Sequence, residues 1–163
     1  MMIDKIRKYP DEVLNRVAEP VELDAKAKFL ANRLTAALDA DRKGRLAVAA
    51  PQIGVSKRAF SYRLTGGYME DVEDKTIPVK GVAFNPIVHE QSDRLRSAIE
   101  GCLSFPGESF PIRRPDRIDV EWTDYKGNVY RTAMLNMAAR VFLHEIDHLD
   151  GVLVIDRVEA PIA

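Results

Sequence analysis

Two histidines and a glutamate stand close together near the C-terminus, in the sequence HEIDH. If residues from about 132 to 151 form one helix, His144 and His148 lie one turn apart on the same face, where two imidazoles can bind one divalent metal ion. Glu145 is rotated towards the flank of that face, so its carboxylate can reach a metal-bound water without being a ligand. The spacing is therefore typical of a hydrolytic metal site.

The motif alone does not decide between a metal site and an ordinary helix. A five-residue match arises by chance, and histidines at helical spacing are also found solvated or hydrogen-bonded in a core. A hydrolytic site needs a third protein ligand and one open position for water. No histidine follows His148, and Glu159 is the only later glutamate, so the lone cysteine, Cys102, is the better candidate. A thiolate with two imidazoles suits Zn²⁺ or Fe²⁺.

The composition is that of an ordinary globular protein, and the length of 163 residues suits one domain over residues 1–163. Lys and Arg number 24 against 25 Asp and Glu, and the net charge of -1 gives no reason to expect a nucleic-acid or anionic-membrane surface. The apolar runs are too short to span a bilayer, and the N-terminus has no signal core. A single cysteine excludes an internal disulfide, so the cytoplasm is the simplest compartment.

Periodicity predicts helices towards both ends of the chain and strands between them. Asp24 is expected to cap a helix that runs to about residue 41, with one apolar side. Alternation predicts strands over 58–63 and 79–88 and a hairpin over 118–131, and the acidic stretch 70–74 is expected to be an exposed loop. The predicted fold class is α+β, with antiparallel β-sheets packed around a long C-terminal helix that carries the motif.

Three motifs, in the same order along the chain, resemble those of the peptide deformylase family. The first, of the type G-x-G-L-A-A-P-Q, is seen as RLAVAAPQ over residues 45–52. The second, E-G-C-L-S, is intact over 100–104, and the third, Q-H-E-x-D-H-L, lies over 143–149 with Leu143 in place of Gln. Few unrelated chains would carry the second and third motifs together, and the similarity extends over nearly the whole sequence.

The resemblance implies removal of the formyl group from the N-terminal formyl-methionine of new polypeptides, with release of formate. It implies that the three candidate ligands bind Fe²⁺, with Zn²⁺ or Ni²⁺ able to take its place. Metal binding lowers the pKa of water towards about 7, and the resulting hydroxide attacks the formyl carbon. Glu145 would act as general base and then as general acid for the departing amine. The side chain of Gln52 and the backbone N–H of Leu103 are the implied oxyanion donors.

The substrate and the partners follow from the same resemblance. The backbone of an N-formyl-methionyl peptide is expected to pair with Leu46, Ala47 and Gly101. Met137, Arg140 and Val141 could wall a pocket for the methionine side chain or could simply pack in the core. The protein is expected to be a monomer with no nucleic-acid or membrane partner. A transient contact with the ribosome is left open, because the chain is short for the long C-terminal docking helix that family members can carry.

Several positions depart from the family pattern. The G-x-G tripeptide reads Arg45-Leu46-Ala47, and alanine costs about 1 kcal/mol if the family needs glycine at that position. Arg45 could place a long cation near the mouth of the cleft or point into solvent, and solvent is the expectation. The basic residue that many members carry shortly after the second motif is not evident, because Ser109 stands there and the next arginines come later. Loss of the glutamine at Leu143 removes at most one hydrogen bond next to the ligands.

These departures spare the candidate ligands, Glu145 and Gln52, so the sequence predicts an active deformylase. Two alternatives remain open. One is a non-catalytic deformylase-like protein that binds metal or peptide. The other is a metallo-amidase that acts on a different acyl group.

Overall fold

The computed structural model describes residues 2–41 and 44–159. The strands in these residues are β1 (Ala47–Ala49), β2 (Ala59–Arg63), β3 (Lys80–Gln91), β4 (Leu95–Cys102), β5 (Phe105–Pro115), β6 (Arg117–Thr123) and β7 (Val129–Leu135). The α-helices are α1 (Ala25–Asp39), α2 (Asn136–Leu149) and the single turn α3 (Val154–Arg157). Short 3-10 turns cover Glu12–Asn15, Ala50–Ile53 and Tyr68–Asp71.

All the strands pair antiparallel, in two sheets within the described residues. The larger sheet has the order β1-β2-β3-β6-β7, and β4 pairs with β5 in a separate hairpin. The predicted α+β class is confirmed. No helix in residues 2–41 and 44–159 is long and apolar enough to cross a membrane.

Helix α2 is held against one face of the larger sheet by an aromatic cluster. The ring of Phe142 lies 5.0 Å from that of Phe60, 5.2 Å from Tyr62 and 5.1 Å from Trp122, measured between centroids. His144 follows two residues later, about 200° further round the helix. Burial of Phe142 in the sheet therefore turns the histidine face of α2 away from the aromatic core.

Helix α1 covers the opposite face of the same sheet. Its buried Leu30, Leu34 and Leu38 belong to one apolar cluster with Val82 and Phe84 of β3. The intervening Ala83 belongs to the cluster under α2, as expected for side chains that alternate along a strand. As predicted, the side chain of Asp24 caps α1, accepting hydrogen bonds from the backbone N–H groups of residues 26 and 27. The sheet therefore has a buried core on both faces.

The predicted start of the motif-bearing helix near residue 132 is wrong. Residues 129–135 form β7, which pairs with β6 as far as Leu135 opposite Arg117, and α2 begins only at Asn136.

The acidic stretch 70–74 is also less exposed than predicted, because Val72 is buried and pairs with β7. The carboxylate of Asp71 accepts hydrogen bonds from the backbone N–H of Met137 and the side chain of Asn136. The acidic stretch thus supplies the cap that α2 lacks locally.

Gly151 ends α2 in a conformation that only glycine adopts without strain. Its φ is 72°, and an added Cβ would lie 2.7 Å from the backbone oxygen of Asn15, closer than real Cβ contacts. Gly127 also has a positive φ, of 88°, but none of the described atoms lies within 4 Å of a Cβ added there. The two glycines therefore share the dihedral requirement and differ in the close contact.

Gly151→Ala is expected to lower the free energy of unfolding more than Gly127→Ala does. The left-handed conformation costs about 1–2 kcal/mol for a residue with a Cβ in both variants, and only Gly151→Ala adds the clash with Asn15. Urea denaturation of the two variants beside the wild type measures the difference. Equal losses would show that the approach of Asn15 does not constrain residue 151.

Candidate metal centre

Cys102, His144 and His148 come together where β4 meets α2. One potential ligand atom from each side chain lies within 4.8 Å of the others, and the Cys102 Sγ is 3.5 Å from the His148 Nε2. In residues 2–41 and 44–159 this is the only group of three or more such side chains so closely spaced. Strand and helix therefore place the three predicted ligands around one point.

The donor set and its hydrogen bonds fit a divalent metal ion. His144 Nδ1 lies 2.9 Å from a carboxylate oxygen of Glu100, which leaves Nε2 of the same ring available as a ligand. His148 is almost fully buried, and its Nε2 faces Cys102, while its Nδ1 has no partner among the described residues. A thiolate and two imidazole nitrogens suit Zn²⁺ or Fe²⁺.

The electrostatics of the two histidines also suit a cation. Burial opposes a charge on His144, but hydrogen bonds with Cys102 and Glu100 outweigh it and raise the pKa of His144 to about 10. Burial and the neighbouring His144 lower the pKa of His148, which keeps that imidazole neutral and its lone pair free. Because a metal-ligating imidazole must be neutral, an ion bound at His144 would displace this proton.

Glu145 is buried beside the candidate ligands, and one carboxylate oxygen, Oε2, has no hydrogen-bond partner in the described part of the chain. Burial raises the pKa of Glu145 to about 7, although the positive charge of His144 works against this. An unpaired buried acceptor is costly unless a ligand or water uses it. The geometry therefore leaves Oε2 of Glu145 available to a molecule bound at the site.

Gln52 brings an amide donor to the same point from the 3-10 turn that follows β1. Its Oε1 accepts a hydrogen bond of 3.0 Å from the backbone N–H of Ala49, and its Nε2 lies 3.8 Å from the Cys102 Sγ and 3.2 Å from the Ser104 Oγ. The amide orientation is thus fixed by the Ala49 contact, with the N–H₂ group towards the cysteine. Leu103, directly after Cys102, lines the same cleft.

The predicted site residues share one cleft of about 520 Å³. Of the residues predicted as ligands, catalytic groups or substrate contacts, all line this cleft except His148, which lies buried beneath it. The cleft is also lined by three residues for which the sequence left two interpretations open, a pocket wall or core packing: Met137, Arg140 and Val141. Residues from three distant stretches of sequence therefore meet in a single cleft.

Sequence reasoning missed the buried network around Glu100. The Glu100 carboxylate accepts hydrogen bonds from Arg114 Nε at 2.6 Å and Nη2 at 3.0 Å, and from Arg140 Nη1 at 2.6 Å. Burial opposes ionisation, but the hydrogen bonds from His144 and Arg114 hold the pKa of Glu100 well below its usual range. Arg114 also donates to Asp147, one residue before His148, at 2.8 Å. The position of Glu100 in the second motif, two residues before Cys102, was the available signal.

The departures from the family motif are accommodated. Arg45 does not point into solvent as predicted, because its Nη1 donates a 2.7 Å hydrogen bond to the backbone oxygen of Ala37 in α1. Ala47 lies in β1 and is not among the residues with positive φ, so alanine is not strained there. Leu143 packs against the core cluster of the larger sheet. None of the three changes places a new group on the candidate ligands.

Comparison with known proteins identifies the family. The sequence profile described as polypeptide deformylase matches residues 3–161. The peptide deformylase of Maricaulis maris is 37% identical over 158 residues, covering 96% of this chain and 85% of that protein. The peptide deformylase of Thermus thermophilus is 38% identical over 168 residues, covering 98% of this chain and 84% of that protein.

The fold agrees with solved structures. The crystal structure of peptide deformylase from Thermotoga maritima superposes with a TM-score of 0.84 at 33% identity, covering 98% of this chain and 100% of that one. A class I type b peptide deformylase from Acinetobacter baumannii gives a TM-score of 0.82 at 26% identity, covering 97% and 100%. Fold and site together define a metal-dependent enzyme. The chain belongs to the polypeptide deformylase family, which confirms the resemblance seen in the sequence.

His148→Ala is expected to abolish stoichiometric binding of Zn²⁺ or Co²⁺, because it removes one of the three candidate ligands. His89→Ala is the matched control, since His89 lies on the surface and contacts Glu121 at 3.1 Å. Metal content after dialysis, measured by elemental analysis, distinguishes the variants. Retention of one ion per chain by His148→Ala, or its loss from His89→Ala, would contradict the assignment.

Proposed function

We propose that the protein is a metal-dependent hydrolase that removes the N-formyl group from the N-terminal formyl-methionine of new polypeptides and releases formate. The observation that carries the proposal is the meeting of Cys102, His144 and His148 with the unpartnered Glu145 oxygen in one cleft. Membership of the polypeptide deformylase family supports the choice of substrate.

Fe²⁺ is the proposed working metal, with Zn²⁺ or Ni²⁺ able to replace it. The mixed sulfur and nitrogen donors of Cys102, His144 and His148 support an ion of this group over Mg²⁺ or Ca²⁺, which prefer oxygen ligands. When bound, such an ion supplies a Lewis acid and a water molecule of lowered pKa. The remaining steps fall to side chains of the chain itself.

Glu145 is the proposed general base and acid. Its Oε2 takes a proton from the attacking water, and the protonated carboxyl then delivers that proton to the nitrogen of the departing amine. A pKa of about 7, raised by burial, suits both directions of transfer at neutral pH. The burial that leaves Oε2 without a partner in residues 2–41 and 44–159 also sets its basicity.

Gln52 and Leu103 are the proposed oxyanion donors. The Gln52 Nε2 is held next to Cys102 by the hydrogen bond between its own Oε1 and Ala49, so it needs no reorganisation during the reaction. The backbone N–H of Leu103 belongs to the residue after the cysteine. Negative charge that develops on the formyl oxygen would be stabilised by these two donors.

The free edge of β1 is the proposed binding surface for the substrate backbone. The backbone oxygen of Leu46 accepts a hydrogen bond of 2.7 Å from the Arg63 N–H, and Ala47 stands opposite Tyr62 in the next, non-hydrogen-bonded pair. The N–H and C=O of Ala47 therefore point away from β2, towards the cleft, where an extended peptide can pair with them. Leu46 is proposed to line the same path.

Gly101 is proposed to contact the substrate from the opposite wall. Among the described residues, a Cβ at Gly101 would meet only the backbone oxygen of Glu108, at 3.9 Å, so the missing side chain leaves open space in the cleft. Met137 and Ile99, both substantially exposed, line this cleft and offer apolar contacts to a methionine side chain. Burial of their exposed surface by the substrate would contribute to binding.

We further propose that the protein acts in the cytoplasm as a monomer, with at most a transient contact with the ribosome. A reducing compartment suits Cys102, because a thiolate ligand must stay reduced. A monomer suffices, because every proposed site residue belongs to one chain.

Glu145→Gln is expected to lower kcat for a formyl-Met peptide by about 10²–10⁴-fold, because the amide cannot carry the proton. The metal content should stay at the wild-type level, since Glu145 is not a proposed ligand. Formate release by the anaerobic Fe²⁺ form measures the effect. Unchanged turnover in the variant would rule out the proposed role.

The same assay with formyl-, acetyl- and unblocked peptides tests the substrate class. Release of formate alone supports the proposal. Faster release of acetate would favour a metallo-amidase with a different acyl substrate. Tight binding of formyl-Met peptides without any turnover would favour a non-catalytic binding protein.

Gln52→Leu is expected to lower kcat/KM by about 10²–10³-fold through loss of one oxyanion donor. Ser104→Ala is the matched control, because it removes the 3.2 Å contact of the Gln52 amide and leaves the donor in place. The control should stay within a few-fold of the wild type. Comparable losses in both variants would show that Gln52 acts by packing against Ser104 and not on the substrate.

A further inference from the structure

Arg140 is a buried cation in α2, one turn before His144. The residue is 5% exposed, and its Nη1 donates hydrogen bonds of 2.6 Å to the Glu100 carboxylate and 3.0 Å to the backbone oxygen of Ile112. Its Nη2 donates a hydrogen bond of 2.7 Å to the backbone oxygen of Arg96. One guanidinium of α2 is therefore fastened to both strands of the β4–β5 hairpin.

The Glu100 carboxylate uses all of its acceptor sites. Oε1 accepts from Arg114 Nε and Arg140 Nη1, and Oε2 accepts from Arg114 Nη2 and His144 Nδ1. A carboxylate offers about four acceptor positions, so each donor occupies one of them. Arg114 belongs to β5, which leaves Arg140 and His144 as the bonds from this carboxylate to α2.

The helix and the strand meet at two levels. At the first level, Glu100 of β4 contacts Arg140 and His144. At the second level, two residues further along β4, Cys102 contacts His148 at 3.5 Å. Arg140, His144 and His148 follow one another at intervals of four residues, so they share one face of α2. If the contacts of Glu100 with α2 shifted, both histidines would move relative to the Cys102 sulfur.

We infer that Arg140 is a positioning residue for the metal centre. It holds Glu100 against α2, and Glu100 in turn holds the His144 ring through its Nδ1. The Nε2 of His144 would then face a bound ion together with the Cys102 sulfur. The inference rests on the ligand set of the proposed function. A purely space-filling role is the competing explanation, because buried ion pairs can often be replaced by apolar side chains of similar volume without loss of stability.

Arg140→Met separates the two roles, because methionine keeps an unbranched stem and removes the guanidinium. Substrate-free protein is loaded anaerobically with Co²⁺, and transfer of the ion to a chelator is followed by absorption. Release is expected to be about 10–100-fold faster than from the wild type, the usual effect of losing support behind a ligand. Arg140→Lys keeps a cation near Glu100 and is expected to release Co²⁺ at an intermediate rate.

Arg58→Met is the matched control. The Arg58 guanidinium also fastens α2, through a 3.0 Å hydrogen bond to the Leu149 backbone oxygen and a 2.9 Å ion pair with Asp150, but it does not belong to the Glu100 network. This variant is expected to be less stable to urea and to release Co²⁺ at the wild-type rate.

Wild-type release rates in Arg140→Met, or equally fast release from Arg58→Met, would overturn the inference and leave the proposed function standing. If Arg140→Met does not fold, Arg140→Lys decides, and a wild-type rate in that variant overturns the inference. A wild-type protein that takes up no Co²⁺ would contradict the proposed function itself.

Discussion

The buried carboxylate of Glu100 joins the strand that carries Cys102 to the helix that carries His144 and His148. Glu100 is 6% exposed, and its charge is compensated by the guanidinium groups of Arg114 and Arg140 as well as by the His144 imidazole. Loss of one partner from such a group leaves an uncompensated buried charge, at a cost of about 3–5 kcal/mol. The relative position of the Cys102 sulfur and the two imidazoles in the candidate metal centre is therefore linked to this set of contacts.

The two faces of α2 have separate tasks. Phe142 anchors the helix in the aromatic core of the larger sheet, and the opposite face carries the charged groups and the candidate metal ligands. Apolar burial fixes where the helix lies, and the hydrogen bonds of Glu100 fix its relation to β4. The cleft opens between the free edge of β1 and the hairpin. Gln52 and Glu145, the proposed catalytic side chains, are among the residues that line it.

Features that depend on neighbouring residues could be predicted from the sequence. The cap at Asp24, the one-turn spacing of His144 and His148 and the alternation of β6 are all local. The start of α2 could not be predicted. Residues 132–135 stay in a strand because they pair with β6, and helical periodicity alone does not reveal that pairing. Strand pairing is a long-range contact that single-sequence patterns do not contain.

The β4–β5 hairpin and the Glu100 network were missed for the same reason. Glu100 bonds to residues 14, 40 and 44 positions later in the chain, and nothing near it in sequence reveals those partners. Arg45 likewise turned out to bind the backbone of α1, eight residues earlier, which no spacing rule for strands would indicate. The family motifs indicated the candidate site residues, and the structure added the contacts that hold them in place.

X-ray absorption of the Zn²⁺-loaded protein tests most directly whether one ion binds the sulfur and both imidazoles. The geometry predicts one sulfur at about 2.3 Å and two imidazole nitrogens at about 2.0–2.1 Å, with one lighter atom completing the shell. A shell of nitrogen and oxygen alone, with no sulfur at bonding distance, would contradict the assignment of Cys102 and with it the proposed chemistry.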